Sequence, residues 1–412
     1  MLNENVSLRF SDAIPLLKGR MPGQLVIQYT DLCNAHCPQC GMRVTESYSR
    51  SKMNINEAKR IIDSAAEKGI KSLSFTGGEP MLYFDEIVTL IQYAGESGIP
   101  YIRTGTNGFI FMNSQSTHFT TKINRIAEAL AKTPIRNFWI SIDSAEASIH
   151  EKMRGLPGVV QGIEKALPIF HDYNIYPSAN LGINRNTGGL GEFFIEEQAV
   201  NNPGCYYNSA KQAFEKFYQF VIDLGFTIVN ACYPMSIDPQ SDTRIVYGAN
   251  SVDHIIRFTE QEKVLIFKAL SEAIDKYRAK IRIFTPRSAL YALIKHYSGN
   301  QSYSYPCRGG IDFFFIDHQT NVYPCGYLGH KHLGKFWNLD LKKINEQASC
   351  RECDWECFRD PSEVMGHFIE LFQNPLNLIQ RLAKDRDYLR LWLGDLWYYK
   401  KCDFFNGRLP IK

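Results

Sequence analysis

Three cysteines, Cys33, Cys37 and Cys40, fall within eight residues at C-x3-C-x2-C spacing, directly after the apolar run Leu25, Val26, Ile27. Three thiolates on one short loop can hold three corners of a [4Fe–4S] cube, since cysteine thiolate is the usual ligand of such clusters. The missing fourth thiolate leaves one iron free for an outside ligand. The same triplet, with His36 as a fourth donor, could instead close a zinc site. A second group comprises Cys307, Cys325, Cys350, Cys353 and Cys357. A β-hairpin through the apolar stretch 313–316 brings Cys307 and Cys325 together, so four or five thiolates converge. A second cluster and a zinc ion both satisfy that count.

Other residues suited to chemistry lie between the two groups. In Thr76-Gly77-Gly78-Glu79-Pro80, two glycines let backbone approach a ligand, and Glu79 offers an acceptor to a cationic amine. An ordinary Gly-Gly turn is the plainer alternative. Gly105-Thr106-Asn107-Gly108 is a weaker signal of the same kind. Ser141-Ile142-Asp143 precedes His150 and Arg154-Gly155. Arg154 could present its fork to a carboxylate, or form a salt bridge at a helix start.

Placed at the end of a first strand, the cysteine spacing resembles the radical S-adenosylmethionine (radical SAM) superfamily. That resemblance implies that the open iron chelates SAM and that an electron from the cluster cleaves it to a 5′-deoxyadenosyl radical, which removes a substrate hydrogen atom. Gly77, Gly78, Glu79 and Pro80 match the family's GGEP motif, which holds the SAM amino group. Asn107, Ser141, Asp143 and Arg154 fall where family members line the SAM site, and Asn184-Arg185-Asn186 resembles a further family position. The residue before the third cysteine is usually aromatic in the family and packs near the adenine. Here it is Gln39, with Tyr29 or Tyr48 as substitutes. The second cysteine group resembles the half-SPASM or twitch subdomain, which carries one auxiliary [4Fe–4S] cluster. The ligands expected are Cys307, Cys325, Cys350 and Cys353, with Cys357 replacing one of them or staying free. Gly326 stands where sulfatase-maturing relatives place an aspartate base, which argues against that activity. Asp312, Asp317, His318, His330 and His332 are the nearby alternatives.

The elements that must position these residues alternate between strand and helix. Strands are expected in the apolar run of Leu25, Val26 and Ile27 before Cys33, and at 71–75, 101–104, 136–142, 176–183 and 226–231. Helices opened by Asn54, and at 84–97, 122–132, 159–173 and 209–224, lie between them. Alternation of this kind implies an α/β fold with a parallel sheet. Six units make a partial (β/α)6 barrel, short of the eight a closed barrel needs. Each motif sits at the C-terminal end of a strand, where ligands collect in such sheets. Residues 109–120 read as a polar insertion, and 184–208 and 233–259 as long loops. The domains expected are an N-terminal arm at 1–24, the barrel at 25–235, connecting loop and helices at 236–300, the auxiliary-cluster subdomain with its β-hairpin and helix at 301–360, and a helical tail at 361–412. In that tail Trp392, Trp397, Tyr398, Tyr399, Lys400 and Lys401 suit either packing on the barrel or contact with a membrane surface or carrier.

The chain has 412 residues, 44% of them hydrophobic and 13% aromatic, enough for substantial cores. A net charge of +3, from 46 basic and 43 acidic residues, argues against bulk nucleic-acid binding. No transmembrane run or secretory signal is apparent, so a reducing cytoplasmic location is expected, where eleven cysteines serve as metal ligands rather than disulfides. The resemblance covers about residues 25–360. It implies a flavodoxin- or ferredoxin-type electron donor and, as substrate, a peptide to be modified or oxidised. The short stretch before the barrel offers no peptide-recognition or cobalamin domain, which adds weight to a sugar, aminocyclitol or lipid. A non-catalytic metal-binding scaffold is the alternative of another class.

Overall fold

The computed structural model describes residues 15–40, 49–189, 196–234, 254–344 and 347–410. The six expected strands are present: β1 (Gly23–Thr30), β2 (Ile70–Gly77), β3 (Tyr101–Thr106), β4 (Asn137–Ser141), β5 (Ser178–Gly182) and β6 (Ile228–Cys232). Between them run α1 (Ile55–Glu67), α2 (Phe84–Glu96), α3 (Phe119–Ala131), α4 (Ala147–Arg154), α5 (Val159–Asp172), α6 (Glu196–Asn201) and α7 (Pro203–Asp223). Neighbouring strands from β1 to β6 pair in parallel. Parallel pairing requires crossovers, and the helices supply them.

Alternation along the strands gives the barrel its two faces. Leu73, Phe75, Ile102, Phe138, Ile140, Ala179, Leu181, Val229 and Ala231 point outward into the main core beneath the helices. The residues between them, Ser74, Arg103, Trp139, Asn180 and Asn230, line the lumen. The lumen therefore carries hydrogen-bonding side chains among apolar ones, as a chamber does and a packed barrel does not.

Three more strands extend the sheet: β7 (Arg282–Ile283), β8 (Phe313–Ile316) and β9 (Val322–Tyr323). The order is β7-β6-β5-β4-β3-β2-β1-β8-β9, an open sheet. β8 runs parallel to β1, with Val26 opposite Phe315, and turns back antiparallel through β9. The expected hairpin is thus present but continues the barrel sheet. Phe313 and Phe315 share a second core with Val26, Trp355 and Phe358, and that core also holds Cys307 and Cys325.

Two expected loops are shorter than their polar residues imply. α7 begins at Pro203, because Asn202 caps it by accepting from the Cys205 N–H and proline suits the first turn. Within 109–120, Ile110 and Phe111 are buried in a 3₁₀ turn and α3 starts at Phe119. Most of the stretch 233–259 lies outside the described residues. After it come α8 (Glu260–Tyr277) and α9 (Arg287–Tyr297). Thr259 and Glu262 form a reciprocal capping box at the start of α8.

The tail is three helices: α10 (Glu356–Gln373), α11 (Pro375–Lys384) and α12 (Arg386–Lys401). α10 starts at Glu356, ahead of the helical tail expected from residue 361. Pro361 lacks the N–H that would have bonded the Cys357 carbonyl, and Gln24 Nε2 donates to that oxygen at 3.3 Å instead. Trp392 is buried, donating to the Val364 carbonyl at 2.9 Å, whereas Trp397 is 71% exposed. Tyr398 and Tyr399 bond the backbone of Ile283 and Phe284 and so tie α12 to the barrel. Among the described residues no helix is long and apolar enough to cross a membrane.

Candidate active site

The loop after β1 carries Cys33, Cys37 and Cys40 to the C-terminal mouth of the barrel, where all three line a cavity of about 270 Å³. Cys33 Sγ accepts from the Ala35 N–H at 3.4 Å and from Asn107 Nδ2 at 3.6 Å. Burial raises the Cys33 thiol, and the Ala35 N–H offsets part of the rise. Burial pushes Cys37 up to about 12, with Arg154 pulling the other way. Cys37 interacts electrostatically with both Cys33 and Cys40, so it is a neighbour of each.

Gly77 and Gly78 are required by close approach to this loop. A Cβ on Gly77, whose φ is +145°, would lie 2.1 Å from the Thr30 carbonyl oxygen, and one on Gly78 would lie 2.0 Å from that of Leu32. Gly78 N and Glu79 N donate to those two carbonyls at 2.7 and 2.8 Å. Glu79 is fully buried. Its Oε1 accepts from Met81 N and its Oε2 from Asn107 N, at 3.0 and 2.6 Å. Burial raises its carboxyl to about 7, with these N–H groups opposing. Glu79 therefore ties the loops after β2 and β3 together while also bordering the cavity. Pro80 opens the 3₁₀ turn that Glu79 caps.

Asp143 organises the far side of the mouth. Its carboxylate accepts from Arg154 Nη2 at 2.9 Å and from Gln39 Nε2 at 2.9 Å. Its backbone N–H donates to His150 Nδ1 at 3.0 Å, and its carbonyl accepts from Asn184 Nδ2 at 2.8 Å. Gln39, where an aromatic residue was expected, thus spends its amide on Asp143. Ser141 borders the same cavity. Tyr29 cannot replace the aromatic, since it lies in the outer core and bonds Glu86. Tyr48 lies outside the described residues. Arg185 pairs with the buried Glu262 at 2.7 Å, so the stretch after β5 braces the barrel against α8.

In the second group, Cys307 N donates to the Cys350 carbonyl at 2.8 Å. Cys307 Sγ accepts from Gly309 N, and Cys325 Sγ from Tyr327 N, each at 3.4 Å. Cys353 interacts electrostatically with Cys325 and Cys307, and Cys325 also with Cys350. These four thiols gather together. Cys357 faces the cavity instead, where its neighbours are Glu356 and Arg103. Cys402 packs with Ile228 and Phe405 at the opposite end of the strands.

The donor chemistry fits iron–sulfur clusters at both sites. Cys33, Cys307 and Cys325 each accept a hydrogen bond from the N–H two residues on, the kind of bond to sulfur that tunes such clusters. Among the described residues no three Cys, His, Asp or Glu side chains gather tightly enough to hold one metal ion. The His36 ring lies against Gly155.

None of the bases expected from the sequence lines the cavity. Asp312 pairs with Arg20 at 2.6 Å and with Arg308. Asp317 accepts from the backbone of its own turn, and His318 Nε2 lies 2.8 Å from Ser49 Oγ. His330 and His332 are absent from the lining. The groups that do line it were not singled out in the sequence: Arg103, Cys232, Tyr233 and Glu356. Period-two alternation on β3 would have turned Arg103 inward. Glu356, at the head of α10 beside Cys357, carried no comparable signal.

Residues 27–200 match the model of the radical SAM superfamily. The chain is similar to the AdoMet-dependent heme synthase of Methanosarcina barkeri, with 22% identity over 84% of this chain and 87% of the relative. It is also similar to the GTP 3′,8-cyclase of Alkaliphilus metalliredigens, 31% identical over 34% of this chain and 42% of that one. Among solved structures, anSMEcpe with bound AdoMet and Kp18Cys peptide aligns with a TM-score of 0.50 at 15% identity, covering 88% of this chain and 99% of the other.

Proposed function

The chain belongs to the radical SAM superfamily through residues 27–200, and from that premise we propose that it removes a hydrogen atom from a substrate lodged in the barrel lumen, with net two-electron oxidation or modification as the outcome. Its cofactors are SAM and a [4Fe–4S] cluster; once bound, they supply reductive cleavage of SAM. Cys33, Cys37 and Cys40 would hold the cluster. Gly77, Gly78, Glu79 and Asn107 shape the wall on one side of that loop, and Ser141 and the Asp143–Arg154 pair shape the wall on the other. Cys307, Cys325, Cys350 and Cys353 would hold a second cluster, which would offer an electron acceptor behind the lumen. An external flavodoxin- or ferredoxin-type protein is the reductant we assign.

The observation that carries this reading is one continuous cavity. It starts at the Cys33–Cys40 loop and ends at Trp355, Glu356 and Cys357, directly after the second thiol group. Substrate held there would lie against the Trp139 and Trp355 rings, and a filled lumen leaves less room for water beside the reactive chemistry. A peptide side chain is the substrate we favour first, because a solved neighbour of this fold was crystallised with a peptide. A small molecule is the second reading, which the similarity to heme synthases along most of the chain favours.

Anaerobically reconstituted protein, given SAM and dithionite, is expected to release 5′-deoxyadenosine, and Cys37→Ala is expected to abolish that release. Reconstituted wild-type protein that leaves SAM intact would sink the proposal.

A further inference from the structure

Midway down the lumen, β3 turns Arg103 inward. Its Nε donates to Ser74 Oγ at 2.5 Å, and among the described residues no carboxylate pairs with its terminal nitrogens. Arg103 is half-buried, and its fork matches a carboxylate in two parallel bonds. Across the same cavity stands Glu356, 6% exposed. Its Oε1 accepts from the Cys357 thiol at 3.4 Å, and the Cys232 thiol and the Tyr233 backbone also lie against the carboxylate, while Oε2 is buried with no partner at hydrogen-bond geometry. Cys357 borders the same cavity and interacts electrostatically with both. Buried polar atoms are nearly always satisfied, so the buried Glu356 Oε2, on the same cavity as an Arg103 fork that no carboxylate among the described residues pairs with, points to a ligand.

The remaining walls narrow its shape. The Trp139 ring lies over Gly105, where a Cβ would stand 2.3 Å from the indole, so only glycine lets that flat wall form. Asn230 Nδ2 bonds Asn180 Oδ1 at 3.1 Å, and Asn180 also bonds the Cys232 thiol, so these amides are already partly committed. Arg103 and Glu356 are the polar ends left open.

We propose that Arg103 and Glu356 form a substrate cradle, in which Arg103 takes a carboxylate of the substrate and Glu356 accepts from an N–H or O–H of the same molecule. This rests on the lumen being the substrate chamber, as argued above. It narrows the substrate to an acid carrying a nearby donor, whether free or as part of a larger molecule. A phosphate dianion is disfavoured, because Glu356 faces it across the cavity.

The test uses full-length, reconstituted, SAM-loaded protein titrated calorimetrically with N-acetylglycine and with its uncharged match, N-acetylglycinamide. A hydrogen bond to a charged group contributes enough that the acid should bind at least about ten-fold tighter than the amide. Arg103→Gln should erase that preference, Arg103→Lys should keep part of it, and Glu356→Leu should weaken both probes alike. Equal affinities in the wild type, no binding of either probe, or a preference that survives Arg103→Gln would overturn the cradle. The wild-type comparison needs no variant to fold. A SAM-induced change in the first cluster's EPR spectrum, recorded on the same wild-type sample, keeps a failure of the cradle distinct from a failure of the radical reading.

Discussion

Arg154 and Asp143 close on each other at the edge of the cavity, with Nε 2.8 Å from Oδ2, Nη2 2.9 Å from Oδ1 and both side chains nearly sealed from solvent. The Arg154 carbonyl accepts from the His36 N–H at 2.9 Å, so the pair is continuous with the cysteine loop. Arg154, expected to present its fork to SAM, already has that fork turned to Asp143. The pair thereby ties the cysteine loop to the segment after β4. Removing one partner of a buried pair leaves an uncompensated charge, so Asp143→Ala should cost about 3–5 kcal/mol. Urea denaturation of the apo-protein measures this directly. A loss below about 1 kcal/mol, the worth of a surface pair, would show that the pair does not hold the site.

Gly78→Ala should act on the same loop from the other side. Its Cβ would fall 2.0 Å from the Leu32 carbonyl oxygen, a backbone atom that cannot move without displacing Cys33. The expected outcome is low iron incorporation during anaerobic reconstitution and no release of 5′-deoxyadenosine. The reference is Gly98→Ala, where no atom lies within 4 Å and the cost is only that of a left-handed backbone. Equal iron content in the two variants would contradict the packing argument.

The two cysteine groups also differ in a countable way. Cys353→Ser should lower bound iron from about eight to about four atoms per chain, because it removes one ligand of the second cube. Cys357→Ser should leave iron content unchanged, since that thiol faces Glu356 and Arg103. Iron and sulfide assays on reconstituted samples decide it. A drop of about four irons in Cys357→Ser would make Cys357 a ligand after all.

The parts legible in the sequence were those written in local pattern. The six parallel strands follow from apolar runs separated by amphipathic helices, and the cysteine triplet from its spacing. What escaped depends on contacts far apart in the chain. The pairing of β8 with β1 joins residues nearly three hundred positions apart, and no periodicity announces it. Gln39 looked like a lost aromatic until Asp143 supplied its partner. Glu356 looked like any helix-start acid, because nothing local says that α10 plugs the lumen. The sequence places a residue on a face; only the fold says what that face meets.

His367 gives a pH dependence independent of the clusters. It lies in α10, stacked on Trp392 at 4.2 Å and beside Tyr388 and Tyr305, and neither ring nitrogen has a hydrogen-bond partner. Burial, with the nearby Arg381 acting in the same direction, lowers its pKa from 6.5 to about 3. Between those values the unfolded chain binds a proton that the folded chain excludes. The stability this contributes is full above about pH 6.5 and is lost as pH falls toward 3, by up to about 5 kcal/mol. His150, lowered to about 4 by burial, adds a slope of the same sign. His367→Phe keeps the stack and removes the titration, so its urea midpoint should fall less steeply between pH 7 and pH 4 than that of the wild type. At pH 7 the variant should be at least as stable, since two unsatisfied nitrogens are gone. Parallel curves for the two proteins would mean that the ring is protonated in the fold and that the contact between α10 and α12 tolerates its charge.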